Sequence, residues 1–196
     1  MSGKAAITIN MVGCGRVGRV IGRLLAGTTG VVLQDVITRS LATAQQAVSV
    51  MGAGHAVPNM GLMRHADLWL LGTSDQHLCA AAQALAQHWK AAGNPINQAP
   101  RDAPIAVHFS GALASTELAA LAQPPLGWRI ASAHPVLSFA QHDVAVQQFA
   151  GTPVALEGDP VALEVLHTLL TRLGGRCFPI QADNKMRYHA AAVFAS

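Results

Sequence analysis

Charged and aromatic side chains are scarce in this 196-residue chain: 12% of its residues are Asp, Glu, Lys or Arg and 5% are Phe, Trp or Tyr. With 51% hydrophobic residues beside so few charges, the composition excludes a disordered polypeptide and suits one domain with a sizeable core. The formal net charge is only +3, and no cluster of Lys and Arg interleaved with aromatics occurs, so nucleic acid is not an expected partner. No apolar run approaches a membrane span, and the N-terminus lacks a charged region leading into a hydrophobic stretch and a small-residue cleavage site. The expectation is a cytoplasmic protein without membrane attachment. Three cysteines, Cys14, Cys79 and Cys177, are odd in number and far apart, which argues against a disulfide framework. None of the nine histidines forms His-x-x-x-His or a Cys/His cluster of ligand spacing, so no metal site is predicted.

What is present starts at residue 6. Ala6 to Val12 is a short apolar run, broken by Gly13-Cys14-Gly15-Arg16-Val17-Gly18 and followed by the amphipathic stretch Val20 to Ala26. A GxGxxG motif between a strand and a helix is the context of a dinucleotide site. Gly13 permits the tight turn, Gly15 lets the backbone approach a pyrophosphate, and Gly18 is expected to let the helix pack closely on the sheet. The free N–H groups and positive dipole end of the helix opening near Arg16 then form an anion site. Cys14 sits where a thiol pKa can fall, but is read as a small residue that fits the turn.

The type of nucleotide is set at the end of the second strand, Val31 to Ile37. An acid there holds a ribose 2′-OH, whereas an Arg accommodates a 2′-phosphate. Asp35 lies two residues before the apolar end of the strand, too early to reach a ribose. Arg39, flanked by Thr38 and Ser40, is placed for charge-assisted hydrogen bonds to a phosphate, which favours NADP over NAD. The bland alternative is a solvated Arg39 beside a Ser40 that caps the next helix.

Strand and helix patterns alternate from there. A helix is predicted through Leu41 to Val48, a short strand at His55 to Val57, a buried strand at Asp67 to Gly72 and an Ala-rich helix at Leu78 to Trp89. Gly93 to Pro104 reads as a Pro/Asn-rich loop. Strands follow at Ile105 to Phe109, Trp128 to Ser132, Pro153 to Leu156 and Arg176 to Ile180, with helices at Leu118 to Leu121, Pro160 to Leu173 and from about Asp183. The pattern predicts an α/β fold, a doubly wound, mostly parallel Rossmann-type sheet with a mixed edge. Ligands of such a sheet bind beyond the carboxyl ends of the strands, where Thr73-Ser74-Asp75, Ser110-Gly111-Ala112 and Ser132-Ala133-His134 fall.

With those phrases, and with Ser132 to Phe139 and Lys185 to Ala192, the chain resembles the uncharacterised Rossmann-like oxidoreductases. These stand within the superfamily of 6-phosphogluconate dehydrogenase, pyrroline-5-carboxylate reductase and β-hydroxyacid dehydrogenases. The resemblance covers essentially the whole chain. It implies a dinucleotide-binding domain over residues 1–181, with 182–196 opening the helix into a C-terminal helical domain that this chain lacks. It also implies that Gly72, Thr73, Ser74, Ser110 and Gly111 line the cofactor and that Lys185 is the catalytic lysine. In β-hydroxyacid dehydrogenases the residue four positions after that lysine is an amide; here it is His189.

Lys185 and His189 fall at i and i+4 on one helical face, so both point to one pocket in this reading. Lys185 would exchange the proton, with Ser110, His134 and His189 positioning a small-molecule substrate. The apolar end of the last helix, Ala190 to Ala195, suggests a homodimer. The expected function is an NADP-dependent oxidoreductase acting on a small carbonyl, imine or hydroxy compound; the alternative is a nucleotide-binding sensor or scaffold without catalysis.

Overall fold

The computed structural model describes residues 6–92 and 103–195, with side chains described as far as residue 192. The loop expected at Gly93 to Pro104 lies almost wholly outside the described residues, as do the side chains at the end of the last helix. Strand β1 (Ile7–Val12) leads through the glycine turn into α1 (Arg16–Ala26), then β2 (Val31–Ile37), α2 (Leu41–Met51) and the two-residue β3 (His55–Ala56). Next come β4 (Leu68–Leu71), α3 (Asp75–Ala91), β5 (Ile105–His108), the short α4 (Ala119–Ala122) and β6 (Arg129–Pro135). The remainder is α5 (His142–Gln148), β7 (Pro153–Gly158), α6 (Pro160–Arg172), β8 (Arg176–Pro179) and α7 (Lys185–Ala195).

The strands form one sheet in the order β3-β2-β1-β4-β5-β6-β7-β8. Every pairing is parallel except β6 with β7, which is antiparallel and sets Ser132 opposite Glu157. The expected mixed edge is therefore present, and it follows from a strand pair rather than from a single outer strand. Sequence patterning accounts for the layers. In β4, Leu68 and Leu70 face α1, α2 and α6, while Trp69 and Leu71 face α3 and α4.

Helix α2 begins as read: Ser40 Oγ accepts from Thr43 N at 3.2 Å, and Gly52 ends the helix in the left-handed conformation at φ +74°. Helix α5 carries no strong apolar stripe and went unread; of its residues only Ala145 is buried, packed with Val20 and Phe139 over α1. Asp35 is buried and bound to Arg64, whose N and Nη2 donate to its carboxylate at 2.7 and 2.8 Å. That pairing explains in physical terms why Asp35 does not face a ribose.

Helix α1 meets the sheet at Gly18 with ordinary contact distances, and it has least room at Gly22, where Met51 of α2 presses on it. A Cβ on Gly18 would sit 3.5 Å from Met11 Cε and 3.7 Å from Cys14 Sγ, which is ordinary contact. A Cβ on Gly22 would collide with Met51 Sδ and lie 3.3 Å from Met11 Sδ. Both Gly→Ala changes gain the same helix propensity, so their difference isolates packing. In urea denaturation Gly22→Ala is expected to be less stable than Gly18→Ala by about 1–3 kcal/mol; equal stabilities would contradict this packing.

Candidate functional site

The glycine turn is built by backbone contacts. Gly13, at φ +75°, donates its N–H to Ile37 O at 2.8 Å, while Gly15 N donates to Gly72 O at 2.9 Å and Gly72 N to Val12 O at 3.0 Å. A Cβ on Gly13 would lie 2.9 Å from Thr73 N, and one on Gly72 would lie 2.8 Å from Gly13 O. The loops after β1 and β4 thus touch main chain to main chain. Helix α1 has no side-chain cap at Gly15. The N–H groups of Arg16, Val17 and Gly18 precede the first intrahelical bond, from Arg19 N to Gly15 O, and stand at the positive dipole end of the helix.

These groups line a cleft of about 300 Å³ whose other walls are Gly72 to Asp75 and His108 to Ser110. Thr73 Oγ1 is buried there with no hydrogen-bond partner among the described residues. Cys14 turns away, into the core against Met51. Burial outweighs the nearby Arg19 and pushes its thiol up to about 12, consistent with a small packing residue. Thr38, Arg39 and Ser40 do not line this cleft, but they follow β2 directly beside the turn. Thr38 Oγ1 donates to Ser40 O at 2.9 Å and Ser40 caps α2, whereas Arg39 is exposed.

At the far end of the cleft Ser110 Oγ donates to Asp75 Oδ2 at 2.9 Å and accepts from Leu113 N at 3.0 Å. Gly111 packs against two imidazoles: a Cβ there would meet His189 Nδ1 and would lie 2.7 Å from His134 Nε2. The rings of His134 and His189 are 5.4 Å apart, and Tyr188 Oη is 3.2 Å from His134 Nδ1. The structure thus brings Gly111, His134 and His189 together, with Ser110 next to Gly111 in sequence.

Lys185 is placed differently from that reading. It lines neither this cleft nor the neighbouring cavity, and its side chain is 1% exposed. Its Nζ donates to Ser132 Oγ and lies 3.8 Å from Glu157 Oε2, across the antiparallel Ser132/Glu157 pair of β6 and β7. Glu157 in turn accepts from Ser115 N at 2.8 Å and Ser115 Oγ at 2.6 Å. Burial draws the Lys185 ammonium down to about 8, against the opposing pull of Glu157 and Asp75.

The histidines carry the imprint of that buried charge. His108 accepts from Ser110 N at Nδ1, 3.1 Å away; its proton is therefore on Nε2, which donates to Ala114 O at 3.0 Å. Burial, reinforced by Lys185, draws His108 down to about 3. Burial first, then His189 and Lys185, draws His134 down to about 4, opposed by Asp75. Glu157, His108 and Tyr188 carry no role in the sequence reading, and Asp75 and Ser132 enter it only as members of the polar clusters beyond the strand ends. Glu157 had a signal: a carboxylate inside an otherwise apolar strand needs a partner.

The family model described as Domain of unknown function (DUF2520) matches residues 152–196. No curated protein matches the sequence. Among solved structures, a protein of Thermotoga maritima is 24% identical, with a TM-score of 0.69 over 96% of this chain and 63% of its own. Synechocystis arogenate dehydrogenase is 19% identical, with a TM-score of 0.68 over 91% of this chain and 61% of its own. A prephenate dehydrogenase of Aquifex aeolicus, solved with hydroxyphenyl propionate and NAD+, is 14% identical, with a TM-score of 0.67 over 94% of this chain and 63% of its own. The chain shares the Rossmann fold of these solved structures. It spans less than two thirds of the length of each of these three relatives. No helix among the described residues is long and apolar enough to cross a membrane.

The neutral state of His108 in this Rossmann fold has a pH signature. An unfolded histidine takes up its proton near 6.5, whereas folded His108 resists it down to about 3. Between those values the unfolded state binds more protons, so stability falls as the pH is lowered from 6.5 toward 3, by about 1.4 kcal/mol per pH unit from this group. Urea unfolding between pH 7 and pH 5 is expected to show a shallower pH slope for His108→Gln than for the unchanged chain. An identical slope would contradict the buried neutral imidazole.

Proposed function

We propose that the chain is the nucleotide-binding part of an NADP-dependent oxidoreductase, with residues 1–181 as the dinucleotide-binding unit. The observation that carries the proposal is the uncapped N-terminus of α1, open to a cleft beside a glycine turn too tight for any side chain. The residues present fit such a cofactor. The N–H groups of Arg16, Val17 and Gly18 suit a pyrophosphate. The unpartnered Thr73 Oγ1, with Gly72, Ser74, Ser110 and Gly111, supplies polar contacts along the cleft. Arg39, between Thr38 and Ser40, suits a 2′-phosphate.

A nicotinamide ring, when bound, supplies or takes the hydride. The chain's own part is to orient the substrate and to manage a proton. Ser110 is held by Asp75, and His134 and His189 face Gly111, so these side chains keep their protons in hydrogen bonds that orient the substrate. Lys185 acts from behind them. Held by Ser132 and Glu157, it disfavours a positive charge on His108 and His134. The substrate class is a small carbonyl, imine or hydroxy compound. The burial of Lys185 favours a second reading, a nucleotide-dependent sensor without turnover, which a screen of NADPH oxidation against small ketones separates from the first.

Calorimetric titration with NADPH and NADH tests the cofactor assignment. NADPH is expected to bind in preference to NADH. Loss of a charge-assisted hydrogen bond in Arg39→Ala should weaken NADPH by roughly 10- to 100-fold and leave NADH little changed. Equal losses for both nucleotides would remove the 2′-phosphate assignment, and binding of neither would remove the reading altogether.

A further inference from the structure

We propose that Gly111, His134 and His189 clamp the oxygen of an uncharged, otherwise apolar alcohol or ketone, seated in the cavity between β6 and α7. The proposal rests on the oxidoreductase reading for its chemical purpose, while the clamp itself stands on geometry. The cavity holds about 360 Å³ and is walled by Pro135, Val136, Leu137, Ser138 and Ala192 together with the two histidines. It shares no lining residue with the cleft in front of α1.

His189 Nδ1 is buried and has no hydrogen-bond partner among the described residues. A buried, unsatisfied ring nitrogen is costly and calls for an explanation. His134 Nε2, from a different element, faces the same backbone position, and a side chain at Gly111 would fill the space between the two nitrogens. The rings stand edge to face at 76° with centroids 5.4 Å apart, a spacing that suits one oxygen atom bridging both nitrogens at hydrogen-bond lengths of about 2.8–3.0 Å. Tyr188 pairs with His134 on the other side: in the tautomer in which its hydroxyl donates to His134 Nδ1, the proton of that imidazole is on Nε2 and points to Gly111. His134 then donates and His189 Nδ1 accepts. A hydroxyl oxygen does both at once, and a ketone oxygen takes the His134 proton and that of the other His189 tautomer.

The walls exclude other classes. No Lys or Arg is among the residues lining the cavity, and the Lys185 charge behind it is held by Glu157 and Ser132. A carboxylate placed here would be desolvated without a cation.

The test uses the full chain with ¹⁵N-labelled histidine and long-range ¹H–¹⁵N correlation of the ring nitrogens, with and without NADPH. Cyclohexanol, cyclohexanone and cyclohexanecarboxylate are the probes. The alcohol and the ketone are expected to move the His134 Nε2 and His189 Nδ1 resonances, and the carboxylate to leave them in place. His134→Leu and His189→Leu each remove one hydrogen bond and should weaken cyclohexanol roughly tenfold. Ring nitrogens unmoved by alcohol and ketone, a carboxylate that binds as well as the alcohol, or Leu variants of unchanged affinity would each overturn the clamp. Shifts by cyclohexanol in a chain that does not bind NADPH would leave the clamp standing and remove the oxidoreductase reading. Binding of NADPH with unmoved imidazoles would do the reverse.

Discussion

Two loops, one after β1 and one after β4, press against each other main chain to main chain, and the site depends on that contact. Gly13 and Gly72 are within hydrogen-bonding reach of β2, β1 and each other's loops, and neither has room for a Cβ. The contact draws Gly15 onto Gly72 O and leaves the next three N–H groups of α1 facing the cleft, without a capping side chain. A capped helix would have satisfied those donors internally. Leaving them bare costs stability unless water or a ligand takes them, and the dipole of an eleven-residue helix favours an anion there.

A second constraint closes the other end. The antiparallel step from β6 to β7 sets Ser132 against Glu157, and the first residue of α7 reaches across that pair. A buried cation so placed is tolerated because Glu157 and Ser132 receive it and Ser115 satisfies the remaining carboxylate lone pairs. Its position fixes the start of α7, and one turn later His189 lies over Gly111. Packing and chemistry are joined here: the ammonium that anchors the helix also helps hold His108 and His134 neutral.

The parallel half of the fold was legible because each element carried its own signal. The GxGxxG turn, the apolar run of β4, the Ser40 cap and the Gly174-Gly175 stop are local features, and β2 runs over Val31–Ile37 as read. Helix α5 was not legible, since its single buried residue, Ala145, leaves no periodic stripe. Within the site, strand ends placed Ser110, Gly111 and His134 on one side of the sheet, whereas helical spacing grouped His189 with Lys185. The burial of Lys185 did not, because it depends on the β6/β7 register and on Glu157, a residue 28 positions upstream whose partner no local pattern identifies. The crowding of α1 at Gly22 was not legible for a similar reason: the obstacle is Met51, supplied by another helix.

The central claim is that the bare N-terminus of α1 receives the phosphates of a dinucleotide. Backbone amide NMR of the chain during titration with NADPH tests it most directly. The account predicts that the largest shifts fall on the amides of Arg16, Val17 and Gly18. Binding that leaves those three amides in place while moving others would contradict it.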